Sequence, residues 1–263
     1  MMSGAHRVVL AAVMHPKPTE EEDIYNVLPH VKKGDKRQRV TPKAVASYID
    51  HTVLKPDATA KDVVKLCKEA AEHKFYAVCV NSSRVKQCAD ELRGTDVKIA
   101  SVVGFPLGAM LTKAKAFETT EACADGATEI DMVLNIGQLL DGNYSAVLAD
   151  IKAVVEAAAQ KKATVKVIFE TCLLTDEQII DASILSAVAG ARFVKTSTGF
   201  SKGGATPAAV DIMKTVVGDA CLVKASGGVR DLETAIRYIE AGTDRIGTSS
   251  GIAIVKGGTA KGY

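Results

Sequence analysis

Two short segments of the chain each place one lysine inside an apolar run that ends in small residues. Lys195 lies in the run that ends at Gly199, and Lys224 lies in the run that ends at Gly228. A lysine is almost never fully buried without a partner. Neighbouring ammonium groups in a partly dry pocket lower each other's pKa, and this leaves a neutral amine able to attack a carbonyl. The pattern predicts Schiff-base chemistry.

Each of these lysines also has an ordinary structural interpretation. A strand lysine often snorkels to solvent or forms an ion pair. Asp131, inside the apolar run Glu129–Val133, could likewise simply pair with Lys166 or Lys195. Two lysines at equivalent places in consecutive units favour the catalytic interpretation, and the role of Asp131 depends on that pair.

Eight short β-like runs alternate with helical patterns from about residue 48 onward. This alternation predicts a (β/α)8 TIM barrel, which typically needs about 250 residues. We expect an N-terminal arm over residues 1–44 and a barrel domain with a short C-terminal tail over 45–263. An open doubly wound sheet is the alternative, but eight uninterrupted units and the lack of a Gly-x-Gly-x-x-Gly motif after the first strand disfavour it. The strands are expected near Tyr48–Asp50, Ala77–Val80, Val97–Ala100, Glu129–Val133, Val165–Phe169, Arg192–Val194, Leu222–Lys224 and Arg245–Gly247.

Local signals mark where several helices begin and end. Thr59, Ser82, Thr175 and Thr206 are candidate N-caps, and Pro207 suits a first helical position. Short glycine-containing segments close helices before the next strand. These closures are expected at Ala189–Gly190 and Ala241–Gly242, and an amphipathic stripe is expected at Val63, Leu66, Cys67 and Ala70.

Gly and Ser clusters follow the seventh and eighth predicted strands. They are Ser226–Gly228 and Gly247–Gly251. Barrel enzymes often bind phosphate with these two loops and a helix N-terminus, where free backbone N–H groups point at the anion. The alternative is that both clusters only form ordinary tight turns, which glycine and serine favour anywhere in a chain. Because both clusters stand beside the two lysines, we predict a phosphorylated substrate.

Composition excludes several classes of function. The 263 residues include 33 basic and 31 acidic side chains, too balanced for a nucleic-acid binder, and tryptophan is absent. No run approaches 18 apolar residues, so no membrane span is expected. The apolar run Val8–Met14 is near the lower limit for a signal peptide and lacks a clear cleavage site.

The cysteines and histidines predict neither disulfides nor a metal site. The six cysteines contain no Cys-x-x-Cys pair, so we expect buried thiols in a reducing, cytoplasmic compartment. The five histidines lie in the first third without the spacing of zinc ligands. We therefore expect no metal and no organic cofactor.

The chain resembles the deoxyribose-phosphate aldolases, a family of class I, Schiff-base-forming aldolases with a TIM-barrel fold. The matching segments lie in the right order between about residues 48 and 256, and the two lysine motifs are highly specific. These segments are Asp50–Pro56, Val78–Asn81, Val103–Gly108, Glu129–Val133, Lys166–Thr171, Val194–Phe200, Lys224–Arg230 and Arg245–Ser250.

The resemblance implies a role for each matching residue. Lys195 would form the Schiff base with acetaldehyde, Lys224 would keep it nucleophilic, and Asp131 would shuttle protons. Residues that match the lining of the pocket floor are Thr52, Cys79 and Lys166. Residues that match the phosphate and substrate loops are Thr198, Gly199, Gly227, Gly228, Gly247, Ser249 and Ser250.

The implied reaction is reversible cleavage of 2-deoxy-D-ribose 5-phosphate to D-glyceraldehyde 3-phosphate and acetaldehyde, in deoxynucleoside catabolism. Expected partners are these small molecules and further copies of the chain, as a dimer or tetramer, but no nucleic acid or membrane. Phe200 stands where some family members carry a phosphate-binding lysine, so Lys202 is a candidate replacement. Tyr263 matches a C-terminal tyrosine that certain members use in proton transfer.

Two other functions compete with this one. A non-catalytic relative could use the barrel as a protein-binding platform, but such a protein would be free to lose Lys195, Lys224 or Asp131, and all three are present. A metal-dependent aldolase would need a His, Asp or Glu ligand set that the sequence does not contain in recognisable form.

Overall fold

The structure is a computed structural model that describes residues 42–260. Within this range eight β-strands alternate with nine α-helices. The strands are β1 Ile49–Thr52, β2 Ala77–Asn81, β3 Lys98–Val103, β4 Glu129–Val133, β5 Thr164–Ile168, β6 Phe193–Lys195, β7 Leu222–Ser226 and β8 Arg245–Thr248. The helices are α1 Ala60–His73, α2 Val85–Glu91, α3 Thr112–Ala124, α4 Ile136–Leu140, α5 Tyr144–Ala159, α6 Asp176–Val188, α7 Pro207–Val217, α8 Leu232–Glu240 and α9 Gly251–Val255.

The eight strands form one closed parallel barrel. Each strand pairs with the next along the chain, and β8 pairs with β1, with Ile49 opposite Ile246 and Asp50 opposite Gly247. Helices cover the outside, so the strands are buried on both faces and read as short apolar runs. All five residues of β4 are buried, for example. The predicted (β/α)8 barrel is confirmed.

Most of the predicted helix boundaries are confirmed as well. Thr59 accepts from the Asp62 N–H while the Asp62 carboxylate accepts from the Thr59 N–H, which forms a capping box at the start of α1. Thr175 caps α6 in the same way, and Thr206 caps α7 ahead of Pro207. The predicted apolar stripe of α1 is buried, at Val63, Leu66, Cys67 and Ala70.

Ser82 is not the N-cap that the sequence predicted. It begins a single 3-10 turn, Ser82–Arg84, and α2 starts only at Val85. The Ser82 hydroxyl donates instead to the Glu118 carboxylate in α3, at 2.8 Å. A tertiary hydrogen bond therefore takes the side chain that local sequence would assign to capping.

The prediction of buried, free thiols is confirmed for five of the six cysteines. All six are free; five are buried, and Cys172 is half-buried. Among residues 42–260, no three His, Cys, Asp or Glu side chains are grouped so that they could hold a metal ion. None of the helices in that range is long and apolar enough to cross a membrane.

Several predictions fall on residues outside the described range. Tyr263 and nearly all of the predicted arm lie there, and so does the run Val8–Met14. The described chain begins with a 3-10 helix at Pro42, and Val45 is fully buried against the barrel. The domain boundary at residue 45 stays a prediction.

Candidate active site

Three charged side chains that the sequence singled out meet inside the barrel. Lys195 is the last residue of β6, and Lys224 lies opposite it in the middle of β7. Both Nζ atoms donate to Oδ2 of Asp131 in β4, at 2.8 Å from Lys195 and 2.7 Å from Lys224. The two amines therefore share one carboxylate oxygen.

Asp131 is the centre of this cluster. Its other oxygen, Oδ1, accepts from Nζ of Lys166 on the neighbouring strand β5, at 2.6 Å. Burial alone would raise the pKa of Asp131, but attraction to Lys166, Lys195 and Lys224 outweighs it and holds this pKa well below its ordinary value. The carboxylate is therefore ionised, and it accepts hydrogen bonds from the Nζ atoms of three lysines.

The sequence led us to expect a lowered pKa for both lysines, but only the pKa of Lys195 is lowered. Burial lowers the pKa of Lys195; Asp131 opposes this shift, and the charge on Lys224 adds to it. For Lys224 burial acts in the same direction, but Asp131 and Asp50 outweigh it and raise its pKa. The difference arises because Lys224 contacts two carboxylates and Lys195 contacts one. Lys195 is thus the amine that releases its proton more easily.

Three further charged residues lie beneath this cluster, and the sequence analysis did not single them out. Asp50 in β1 accepts from Lys224, Glu129 in β4 accepts from Lys166 at 2.6 Å, and Arg245 in β8 contacts both Asp50 and Glu129. Each of the three is buried. The available signal was a charged residue in a short apolar strand, the same signal that marked Lys195, Lys224 and Asp131.

A cavity of about 150 Å³ opens above Lys195 at the carboxyl ends of the strands. This is the end at which barrel enzymes place their chemistry. Nine predicted site residues line it: Thr52, Lys195, Thr198, Gly199, Gly227, Gly228, Gly247, Ser249 and Ser250. The other four predicted residues, Asp131, Lys224, Lys166 and Cys79, are fully buried and do not line it.

One wall of the site is apolar. Cys79 packs with Leu54, Ala100 and Val102, and Phe105 covers this group from one side. Burial raises the pKa of the Cys79 thiol, and the negative charge of Asp131 adds to the effect. Cys79 is therefore a neutral thiol beside the amines and acts as a small apolar side chain there.

Three glycines present backbone N–H groups at the cavity. Gly199, Gly227 and Gly228 have φ between +82° and +85°, which side chains rarely adopt. Within the described residues, none of these three N–H groups has a hydrogen-bond acceptor. A Cβ at Gly228 would meet nothing within 4 Å, so the space beside it is open. Free N–H groups around open space suit an anion.

Gly247 lines the cavity, as its predicted place in the phosphate and substrate loops requires, and it also has a packing role. A Cβ at Gly247 would lie 2.2 Å from the Ser226 hydroxyl oxygen and 3.0 Å from Cε of Lys224. Gly247 therefore makes room for the Lys224 side chain, and the collision would be within the protein.

The rim of the cavity carries an aromatic pair and an arginine. Phe200 is half exposed and meets Phe105 edge to face, with ring centroids 5.2 Å apart. Lys202 is exposed and is not among the lining residues, whereas Arg230 lines the cavity. Arg230 is thus a cation in the lining besides Lys195, and the sequence analysis quoted it without assigning it a role.

Glu170 holds one of these loops in place, and no sequence signal marked it. It follows β5 with φ of 57°, unusual for a residue with a side chain. Its buried carboxylate accepts from the Thr198 hydroxyl and from the Thr198 N–H, the latter at 3.3 Å. The Thr198 hydroxyl in turn accepts from the Phe200 N–H, at 3.0 Å. The loop conformation around Gly199 depends on this carboxylate.

A larger cavity, of about 350 Å³, lies beside β1 and α1 and shares Thr52 and Ser249 with the first. Its lining includes Lys55, Lys65 and Glu69 but none of the buried amines. The smaller cavity alone contains a buried amine of lowered pKa beside open space, so we take it as the candidate active site.

The chain is similar to known aldolases over most of its length. The family model of the DeoC/LacD family aldolases matches residues 44–257. A relative from Mesoplasma florum named deoxyribose-phosphate aldolase 1 is 59% identical over 210 residues, which are 80% of this chain and 94% of the relative. A deoxyribose-phosphate aldolase from Thermococcus gammatolerans is 57% identical over 81% of this chain and 96% of its own.

A solved structure shares the fold at lower identity. The tetrameric deoxyribose phosphate aldolase from Aeropyrum pernix superposes with a TM-score of 0.78 at 34% identity, covering 83% of this chain and 92% of its own. The barrel, the lysine pair and these similarities agree with one another. The chain belongs to the DeoC/LacD family of aldolases.

Proposed function

We propose that this protein cleaves 2-deoxy-D-ribose 5-phosphate reversibly to D-glyceraldehyde 3-phosphate and acetaldehyde, through a Schiff base on Lys195. The observation that carries the proposal is a buried lysine of lowered pKa that lines a cavity rimmed by free N–H groups. The relatives named deoxyribose-phosphate aldolase support the choice of substrate.

The neutral amine of Lys195 attacks the C1 carbonyl of the open-chain sugar, and loss of water from the carbinolamine gives a protonated imine. The imine then withdraws the electron pair of the C2–C3 bond as this bond breaks. The C3 hydroxyl gives up its proton and becomes the aldehyde of glyceraldehyde 3-phosphate. Protonation of the resulting enamine at C2 and hydrolysis of the imine release acetaldehyde and restore the lysine.

Asp131 and Lys224 serve the proton transfers in this scheme. The Asp131 carboxylate touches both amines, so it accepts a proton as the carbinolamine forms and returns it as water leaves. Lys224 keeps its charge because Asp50 and Asp131 both bind it. Its charge disfavours protonation of Lys195 and also stabilises the ionised state of Asp131.

The phosphate occupies the rim of the cavity. Gly199, Gly227 and Gly228 line the cavity there with N–H groups that have no acceptor among the described residues, and Ser249 and Ser250 lie on the neighbouring loop. Arg230 supplies a positive charge on the same rim. Backbone N–H groups and one arginine take the place of a lysine at Phe200.

The binding-platform alternative is disfavoured by the geometry. Lys195, Lys224 and Asp131 are all present, and they converge within hydrogen-bonding distance. Burying such charges costs free energy that an apolar cluster of similar volume would not cost. A barrel that only bound other proteins would have no physical reason to keep them.

Trapping of the imine tests the proposal. Acetaldehyde and sodium borohydride are expected to label Lys195, located by mass mapping of peptides, and Lys195→Ala is expected to lose both the label and sugar cleavage. Lys98→Ala is a matched control, because Lys98 is an exposed strand lysine at the opposite end of the barrel. A label on another lysine, or activity that EDTA abolishes and zinc restores, would contradict the mechanism.

We further propose that the protein forms a homo-oligomer, a dimer or a tetramer, and acts in the cytoplasm. The tetrameric Aeropyrum pernix structure supports assembly. Light scattering coupled to size-exclusion chromatography measures the mass of the protein in solution, and a monomeric mass would contradict the proposed homo-oligomer.

A further inference from the structure

We propose that Arg245 and Glu129, which lie away from the cavity at the start of their strands, set the charge state of Lys195 and so act as positioning residues. This inference rests on the proposed role of Lys195 as the nucleophile. It concerns how the barrel interior determines which of its lysines is neutral.

The argument starts from a count of buried charges. Ion pairs join four buried bases and three buried acids in the barrel interior, each with at most 5% of its surface exposed. The carboxyl of Glu170 is also buried near Lys195, but it forms no ion pair in this network, and burial raises its pKa. If all seven were ionised, one positive charge would have no carboxylate to balance it. A low-dielectric interior strongly disfavours such a charge, so one base gives up its proton. The seven residues are Asp50, Glu129, Asp131, Lys166, Lys195, Lys224 and Arg245.

Arg245 cannot be the base that becomes neutral. A guanidinium keeps its proton at all pH values a protein tolerates, and Asp50 and Glu129 raise the pKa of this one further against the opposing effect of burial. Its Nη1 lies 2.7 Å from Oδ1 of Asp50 and 3.3 Å from Oε2 of Glu129. The missing proton must therefore come from a lysine.

Contacts decide which lysine it is. Lys166 lies 2.6 Å from both Glu129 and Asp131, and Lys224 binds both Asp50 and Asp131. Lys195 forms an ion pair with Asp131 alone, and it shares that carboxylate with the other two lysines. The other titratable groups that act on Lys195 are the neutral Cys79 thiol and the Glu170 carboxyl, and neither forms an ion pair with it. Lys195 is thus the least compensated cation, in agreement with the direction of its pKa shift.

Arg245 has this effect without touching Lys195. It binds one oxygen of Asp50 and both oxygens of Glu129, so it shares the negative charge of these carboxylates with Lys224 and Lys166. The Tyr76 ring lies 3.4 Å from its guanidinium carbon, and the Phe193 ring lies 5.3 Å away. These rings are the apolar groups around it; the charged groups nearby are Asp50, Glu129, Lys166 and Lys224.

The proposal predicts opposite effects for two substitutions. Arg245→Met removes the permanent cation, so three acids balance three lysines and Lys195 holds its proton more tightly. Glu129→Gln removes an acid, so the positive excess grows and Lys195 loses its proton at lower pH. The double variant has the same excess as the natural protein, and its Lys195 should behave as before.

The measurement is the pH dependence of imine trapping at Lys195, with acetaldehyde and cyanoborohydride as probes and peptide mass mapping as the readout. The pH at half-maximal labelling should rise by about one unit in Arg245→Met and fall by about one unit in Glu129→Gln, the order expected for one uncompensated charge in the interior. In the double variant the pH at half-maximal labelling should lie within a few tenths of a unit of the value for the natural protein. Arg245→Lys retains a cation, and its half-maximal pH should stay near the natural value.

Each outcome decides the proposal. Midpoints that coincide in all folded variants, or that move in the same direction in both single variants, would overturn it. If circular dichroism shows that Arg245→Met does not fold, the shift in Glu129→Gln decides alone. Absence of labelling at Lys195 in the unaltered protein at every pH would instead contradict the proposed function.

Discussion

At the scale of single residues, the reactivity of Lys195 depends on an imbalance of partners. Burial disfavours the charge of every lysine in the barrel interior. Lys166 forms ion pairs with three carboxylates and Lys224 with two, but Lys195 forms one with a single carboxylate. The charge on Lys224 contributes less to the lowered pKa of Lys195 than burial does. Lys195 also ends its strand and lines the cavity, so the amine that loses its proton is the one that a substrate can reach.

A residue-scale prediction concerns Glu170. Glu170→Ala removes the acceptor of the Thr198 N–H and hydroxyl, and the loop that carries Gly199 should lose its conformation. The KM for deoxyribose 5-phosphate should rise about tenfold, as for loss of one hydrogen bond to a charged group. Imine trapping with acetaldehyde, which has no phosphate, should change by less than about twofold on the same argument.

Glu170→Gly is the matched variant, because glycine accepts the observed φ of 57° without strain. A rise in KM common to both variants would come from the lost carboxylate, and any extra loss of stability in Glu170→Ala would come from backbone strain. Unchanged KM values in both variants would show that Glu170 does not position the loop.

At the scale of elements, the strands and most helix ends could be predicted, because their signals are local. Buried parallel strands are short apolar runs between helices, and Thr59 and Thr175 cap helices through residues three positions away. Ser82 failed as an N-cap because its partner is Glu118, 36 positions along the chain. Local sequence does not contain that contact.

The contacts of the buried residues Asp50, Glu129 and Arg245 could not be predicted for the same reason. Asp50 and Arg245 are 195 positions apart and meet only because β8 closes the barrel against β1. The two lysine motifs were predictable as a site because they recur at equivalent places in consecutive units. Which carboxylates bind which lysine depends on side-chain geometry across the barrel, and that geometry decides their pKa values.

An element-scale prediction tests the loop after β7. Gly228→Val places a side chain in the open space beside the free N–H groups, so the KM for deoxyribose 5-phosphate should rise at least about tenfold. The KM for unphosphorylated deoxyribose should change much less, because that sugar does not use the subsite. Steady-state kinetics on both sugars measure the contrast, and equal losses on the two would mean that this loop does not bind phosphate.

Backbone strain must be separated from the loss of binding. Gly142, in the turn between α4 and α5, also has positive φ, and a Cβ there would likewise meet nothing within 4 Å. Gly142→Val should therefore cost a similar amount of stability, about 1–2 kcal/mol, with unchanged KM values. The difference between the two variants isolates the effect on phosphate.

At the scale of the whole molecule, the barrel has one closed end and one open end. At the amino ends of the strands, Arg245 stacks against Tyr76 and its charge is neutralised by Asp50 and Glu129. At the carboxyl ends, glycine loops leave N–H groups without acceptors and Lys195 faces a cavity. The ion pairs of Arg245 link strands at the amino ends. The free N–H groups and Lys195 at the carboxyl ends are available for a ligand.

A second buried ion pair joins the helices that cover β4, and it carries the last prediction. Lys115 in α3 donates to the Asp150 carboxylate in α5 at 2.5 Å and to the Val133 carbonyl at the end of β4 at 2.9 Å. Asp150→Asn leaves a buried ammonium without its counter-charge, so the unfolding free energy at neutral pH should fall by about 3–5 kcal/mol. Urea denaturation measures this loss.

The dependence of this loss on pH and on the partner residue identifies its cause. Burial already lowers the pKa of Lys115 despite Asp150, and without Asp150 that pKa falls further. A lowered lysine pKa means that the folded state binds fewer protons than the unfolded state, so the stability of Asp150→Asn should recover as pH rises towards about 10. Lys115→Met combined with Asp150→Leu should restore most of the stability at neutral pH, because no charge is then buried. Asp90→Asn, which breaks an exposed pair with Lys86, should leave stability nearly unchanged, and an equally small loss in Asp150→Asn would contradict the prediction.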